Sequence, residues 1–289
     1  MKNNLKFIVE TESTLLPFLL EQYKNKSRNY VKGILTRGQI IVDGRACTNH
    51  AHKLRPGQNV EVRLGIPQAQ EKMSIPIIYE DNDIIVIDKP AGLLTIEASK
   101  EHSQTAYRIV TDYIKSRNKS ARIFIVHRLD RDTSGVLLFA KSEKIKNTLQ
   151  ENWDENVLKR GYIALVEGEV TTPHDRIVSW LKQTKTLLVY SGDRENDGKL
   201  AITNYETIKA TANYSLLDVS LETGRKNQIR VHMKDIGHPI AGDKKYGALT
   251  DPIKRLGLHA ATLIIKHPST NEQMEFKSAV PNGFKKALR

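Results

Sequence analysis

Residues 123–140 read IFIVHRLDRDTSGVLLFA, setting His127, Arg128, Asp130 and Arg131 between two apolar runs. The flanking IFIV and VLLFA are rich in the β-branched and aromatic residues of strands. The polar residues between them therefore form a strand-to-strand loop, with Thr133-Ser134-Gly135 as a tight turn back into the sheet. A carboxylate placed there stands at a sheet end beside arginines, and opposite charge favours its ionised form. Ionised, Asp130 suits a nucleophile, a base or a stabiliser of positive charge and is a poor general acid. It equally fits a turn-capping aspartate paired with arginine, and the segment alone leaves both readings open. His127 has no second histidine at metal-site spacing, so a structural ring bonding the loop is expected, and no metal.

Upstream, IPIIYEDNDIIVIDKPAG (75–92) reads as two strands around Glu80–Asp83, closed by a Lys-Pro-Ala-Gly turn. DKPAG lacks the spacing of either nucleotide fingerprint and is read as structural. Ala106, Ile109, Val110, Tyr113 and Ile114 follow amphipathic-helix spacing. Downstream, Ile145, Leu149 and Trp153 mark a helix, and YIALVEGEV, AITNYETI and YSLLDVSLE add strands. RKNQIRVHMKDIGHP gives a helix with Ile229, Met233 and Ile236 on one face and Gly237 at its C-terminal cap. LHAATLIIKHP and EQMEFKSAVP close the chain as a hairpin. Strands and helices without strict alternation predict an α+β fold, a mixed, mostly antiparallel sheet with helices packed on it.

The late helix also carries Lys226, Arg230 and Lys234 at i, i+4 and i+8. Cations in line repel one another unless an anion lies opposite. They form either a solvated face or a phosphate track, with one arginine reaching a carboxylate.

Ahead of this region, residues 12–63 read as two helices and then strands, with Asp43-Gly44 as a hairpin turn. Lys24, Lys26, Arg28, Lys32, Arg37, Arg45, Lys53 and Arg55 crowd the segment. The polar GIPQAQEKMSIP, 65–76, has two prolines and no periodicity. The expected organisation is a small basic domain over 1–64, a linker over 65–76 and a large domain over 77–289.

In the 289-residue chain, 45 Lys and Arg exceed 33 Asp and Glu by 12, which points to a polyanionic partner such as nucleic acid or an anionic membrane. The one cysteine, Cys47, excludes an internal disulfide and any cysteine-rich zinc site. No signal peptide or transmembrane run is read from the sequence, so a cytoplasmic location is expected, with no membrane partner.

Taken together, DKPAGL (88–93), HRLDRDTSG (127–135), KRGYIALVEG (159–168) and TGRKNQIRVHMKDIGHPIAGDKKYG (223–247) resemble the RluA-type pseudouridine synthase family over roughly residues 75–285. SRNYVKGILTRGQIIVDGRA resembles the alpha-L RNA-binding module shared with a small-subunit ribosomal protein. The resemblance implies a pseudouridine synthase fold preceded by a small α/β RNA-binding domain and acting without cofactor; nothing in the sequence suggests an obligate interface, so a monomer is expected. The partner it implies is RNA, ribosomal RNA first and transfer RNA as the alternative. It makes Asp130 the catalytic aspartate, Arg230 its basic partner and Tyr162 the aromatic that packs on the flipped uracil. Arg128 falls where RNA is held open, and Lys226 and Lys234 become part of a site wall. Arg28, Lys32 and Arg37 carry RNA binding by the N-terminal module. Two departures concern substrate contacts: Asn227 where histidine is common, and TIEAS after DKPAGL where a His-Pro is common.

Two rival classes remain at this stage. A non-catalytic RNA-binding or ribosome-assembly protein accounts for the basic N-terminal segment but gives no reason for a carboxylate facing a polyanion. A base-removing glycosidase shares the carboxylate logic and would release free uracil.

Overall fold

The computed structural model describes residues 5–36, 38–62, 73–97, 104–192, 194–195 and 197–289. The chain forms two compact units, Met1–Glu71 and Lys72–Arg289. Residues 65–72 of the expected linker lie outside the described residues.

The first unit runs β1 (Leu5–Ile8), β2 (Ser13–Thr14), α1 (Leu15–Gln22), α2 (Arg28–Thr36), β3 (Ile40–Val42), β4 (Arg45–Ala46), β5 (Lys53–Leu54) and β6 (Asn59–Val62). Its main sheet has the order β1-β6-β3-β4 with antiparallel pairing throughout. The β3–β4 turn is Asp43-Gly44, with φ of 46° and 82°, the doubly positive backbone that suits the twist of a two-residue hairpin. Leu15, Leu19, Val31, Ile34 and Leu35 pack on Ile40, Val60 and Val62. That packing leaves Arg28 and Lys32 of α2 exposed.

The second unit begins with β7 (Ile77–Glu80), β8 (Ile84–Lys89), α3 (Ala106–Arg117), β9 (Phe124–Ile125) and β10 (Ser134–Ala140). There follow α4 (Glu143–Glu151), α5 (Trp153–Asn156), β11 (Val157–Glu167), β12 (His174–Gln183), β13 (Val189–Gly192), β14 (Lys199–Ala210) and β15 (Tyr214–Leu221). The chain closes with α6 (Gln228–Asp235), a short 3-10 turn (Lys244–Tyr246), β16 (Leu258–Lys266), β17 (Gln273–Lys277) and α7 (Asn282–Lys286).

One sheet of order β13-β12-β14-β15-β11-β16-β10-β8-β7 organises this unit, with β17 on β16 and β9 on β10. All its pairings are antiparallel except β10 with β16, so the expected mixed, mostly antiparallel sheet is present. β8 and β10 are buried on both faces. Val86, Val136 and Leu138 meet Ile145 and Leu149 of α4, whereas Ile85, Ile87, Leu137 and Phe139 meet Ala106, Val110 and Ile114 of α3. This is why both strands read as unbroken apolar runs. Ala164, Val166, Leu217 and Val219 pack on Ile229 and Met233, which seats α6 against β11 and β15. Helix α3 opens on Thr105, whose side chain accepts the Arg108 N–H at 3.2 Å, a cap worth about 1 kcal/mol.

Two local readings change, and two strands enter that the sequence did not signal. Ser134 and Gly135 do not belong to a turn: they open β10 and pair with His259 and Ala260 of β16. Gly135 has φ +111°, and a Cβ there would overlap the Ala260 carbonyl, so the glycine permits a close strand approach. Lys226 precedes α6, which starts at Gln228, so the three cations do not share one helix. β12 gave no clear strand signal because its start is exposed and polar or charged, and β13 because it has only four residues.

Candidate active site

A cleft of about 790 Å³ opens where the β9–β10 loop, β11 and the start of α6 converge, and Asp130, Tyr162 and Arg230 all line it. The sequence places these residues 32 and 68 positions apart; the sheet order brings β10, β16, β11 and β15 side by side and closes the distance.

Asp130 sits on a loop fixed at four points. His127 Nε2 accepts the Leu138 N–H at 3.1 Å. Thr95 Oγ1 donates to the Leu129 carbonyl at 2.8 Å and accepts the Leu129 N–H at 3.2 Å. Arg131 Nε donates to the Gly92 carbonyl at 3.2 Å. Lys89, fully buried, donates to the carbonyls of Pro90, Leu93 and Arg131 at 3.0, 2.7 and 3.0 Å. The DKPAGLLT segment is thus the scaffold of the aspartate loop, and its lysine satisfies a buried ammonium with three carbonyls. Burial lowers the Lys89 amine to about 8, against the pull of Asp132 and Asp130. Burial likewise pushes His127 down to about 4, so its ring is neutral and acts as an acceptor, the structural role expected of it.

Arg230 is held before it reaches Asp130. Asp243, with only 2% of its side chain exposed, accepts from Nε at 2.6 Å and from Nη2 at 2.7 Å. Nη1 donates to Asn227 Oδ1 at 3.3 Å and lies 3.5 Å from Asp130 Oδ2. The guanidinium also stands over the Tyr246 ring at 4.8 Å. Burial disfavours the Arg230 charge, but the bonds to Asp243 outweigh it and raise the pKa. Asn227 caps α6 in the left-handed conformation, φ 55°, which asparagine tolerates well. Its Nδ2 donates to Tyr246 Oη at 2.9 Å. The unusual asparagine therefore braces Arg230 from behind.

Tyr162 lies on β11 opposite Val219 of β15 and Ala260 of β16. Desolvation, with Asp130 adding to it and Arg160 opposing, pushes its phenol up to about 12. It is a neutral, partly buried aromatic surface facing the cleft.

Arg128 is exposed at the rim and makes no hydrogen bond or ion pair with the described residues. Lys226 is exposed and lines the cleft, whereas Lys234, on the last turn of α6, does not. Arg28 and Lys32 lie on the first unit's exposed α2 face, and Arg37 lies outside the described residues. Sequence reasoning missed Asp243 and Arg160. Asp243 was visible only as an acid inside the GDKKYG stretch, with nothing in its spacing to tie it to Arg230.

The profile of the family described as RNA pseudouridylate synthase matches residues 83–235. The chain belongs to the RNA pseudouridylate synthase family. It is 34% identical to the uncharacterized RNA pseudouridine synthase YlyB of Bacillus subtilis, over 91% of this chain and 89% of that protein. It is 32% identical to the ribosomal large subunit pseudouridine synthase D of Vibrio cholerae, over 91% of this chain and 86% of that protein. The fold is similar to that of the human RNA pseudouridylate synthase domain containing 4, with a TM-score of 0.60 at 22% identity, covering 74% of this chain and 91% of that one. The RluA-type resemblance is supported, and the chain is an RNA pseudouridine synthase. Among the described residues no helix is long and apolar enough to cross a membrane.

Proposed function

We propose that this enzyme isomerises uridine in large-subunit ribosomal RNA, with Asp130 as the catalytic carboxylate. The observation that carries the reading is the arrangement of Asp130 beside an arginine already neutralised by Asp243, in one cleft with a neutral tyrosine.

The reaction breaks the bond from uracil N1 to ribose C1′ and makes one from uracil C5 to C1′. The C5 hydrogen leaves as a proton and N1 gains one, so there is no net oxidation or hydrolysis. Cleavage builds positive charge on the sugar, and a carboxylate beside it stabilises that charge. Asp130 supplies this carboxylate, either bonding to C1′ or removing a C2′ proton. Both routes need an ionised, aimed oxygen in a site that excludes water, and Arg230 serves as the residue that positions it.

The target base must leave its stack, at about a few kcal/mol. Stacking on Tyr162 returns about 1–3 kcal/mol, and Arg128 at the rim faces the displaced strand. The large-subunit assignment rests on the name of the Vibrio cholerae relative. The basic face of the first unit, Arg28 and Lys32 with Arg37 beyond the described residues, serves as an RNA-binding module, and the enzyme works as a cytoplasmic monomer without cofactor.

Mapping pseudouridines in total RNA from cells lacking this chain tests the substrate. One or a few large-subunit positions revert to uridine if the proposal holds. An unchanged large-subunit map with losses in transfer RNA overturns it.

A further inference from the structure

Arg160 is a partly buried cleft cation that the reading above leaves without a task. It lies two residues before Tyr162 on β11, and both line the cleft. β11 bulges against β16 between Gly161 and Tyr162, while pairing with β15 stays regular there. Two residues along a strand share a face and lie about 7 Å apart.

The guanidinium is hydrogen-bonded through one nitrogen only. Nη2 donates to the carbonyls of Leu221 and Glu222 at 3.3 and 2.9 Å, and the group stands 5.6 Å from the Trp153 ring. Nε and Nη1 make no hydrogen bond to the described residues, and no carboxylate among those residues lies within 4.0 Å. A Cβ on Gly224 would collide with Nη1, so the glycine of the TGR stretch clears the space this group occupies.

The surroundings do not favour an unpaired cation. Arg160 is partly buried, and desolvation together with the nearby Arg225 lowers its pKa, with Tyr162 and Asp154 opposing. Such a guanidinium gains from an anion, and its unengaged Nη1 N–H groups can donate to phosphate oxygens. The carboxylate of the site is not available, because Asp130 stands with Arg230. The remaining anion in an RNA complex is the backbone itself.

We propose that Arg160 is the phosphate clamp of the cleft, its free Nη1 donating to a phosphodiester that flanks the uridine stacked on Tyr162. The assignment rests on the RNA-isomerase reading and deepens it. The other cleft cations differ: Arg230 is committed to Asp243, while Arg128, Arg225 and Lys226 are exposed. Arg160 is a pre-set contact that holds the target nucleotide in register.

Release of tritium from [5-³H]uridine in total RNA from cells lacking this chain reads the reaction directly, because C5 loses its hydrogen. Arg160→Ala is expected to raise the half-saturating RNA concentration about tenfold, the loss of one charge-assisted contact, with kcat changed less than about threefold. The slope of log half-saturation against log salt should fall by about 0.7–0.9, one phosphate's share. Arg160→Gln, which retains donors to the Leu221 and Glu222 carbonyls, should lose the same slope and so separates binding from folding. Gly224→Ala, which displaces the guanidinium but keeps its charge, should raise half-saturation in the same direction. An unchanged slope in both Arg160 variants, with wild type active, overturns the clamp alone. An inactive wild type overturns the isomerase reading and the clamp with it.

Discussion

Arg230 meets Asp130 through Nη1 at 3.5 Å, while Asp243 takes its Nε and Nη2 at 2.6 and 2.7 Å. The division matters because a bidentate arginine on Asp130 would occupy both carboxylate oxygens. Asp243 absorbs that geometry instead, and the side chain of Asp130 stays 33% exposed to the cleft.

Asp243→Ala should therefore damage both stability and turnover. Removing one partner of a buried pair costs about 3–5 kcal/mol, which urea unfolding measures. The freed guanidinium can then turn onto Asp130, and a misplacement of that kind lowers kcat by about a hundredfold. Wild-type kcat in a folded Asp243→Ala would contradict the anchoring role.

Gly135→Ala tests the close approach of β10 to β16. A Cβ there overlaps the Ala260 carbonyl at a backbone φ of +111°. Neither strand can yield, since β10 is paired on both sides, and a loss of about 3 kcal/mol or more is expected in denaturant unfolding. Ala at Gly44, where a Cβ meets nothing within 4 Å but φ is +82°, should cost less, about 1 kcal/mol.

Acid stability follows from one buried histidine, His232, and one partly buried, His127. Burial lowers His232 to about 4, with Asp235 opposing, and His127 also to about 4. The native state then binds fewer protons than the unfolded chain, so stability is present above about pH 6.5 and is lost as pH falls toward 4. His232, fully buried between Thr203 and Ser179, contributes about 3 kcal/mol of that loss. Urea midpoints between pH 7.5 and 4.5 should fall accordingly. The imidazole proton resonances of both rings should hold their neutral shifts down to about pH 5. Titration near 6.5 would refute the burial argument.

The exposed cations of the first unit should act through salt. Arg28→Ala with Lys32→Ala is expected to reduce the salt slope of RNA binding by about 1–2, with the thermal midpoint little changed because neither side chain is buried. An unaltered slope would remove α2 from the RNA-binding surface.

The sequence carried the strands with the strongest periodicity, and it did so for a physical reason. IIVI and VLLFA are buried on both faces, and helix α6 shows its apolar stripe because Ile229 and Met233 pack on one sheet face. Asp130, Tyr162 and Arg230 were legible as motif members. The partners that make the site work were not. Asp243, Thr95, Lys89 and Arg160 act through tertiary contacts, between residues 13 to 62 positions apart along the chain. Ser134-Gly135 looked like a turn because small residues also serve where two backbones nearly touch.

The central claim is that Asp130 performs the chemistry and is not needed for the RNA to bind. Tritium release from [5-³H]uridine RNA by Asp130→Asn, run beside an RNA-affinity measurement on the same preparation, tests it most directly. The account predicts no detectable release, with affinity within several-fold of wild type. Release at a measurable fraction of the wild-type rate would contradict it.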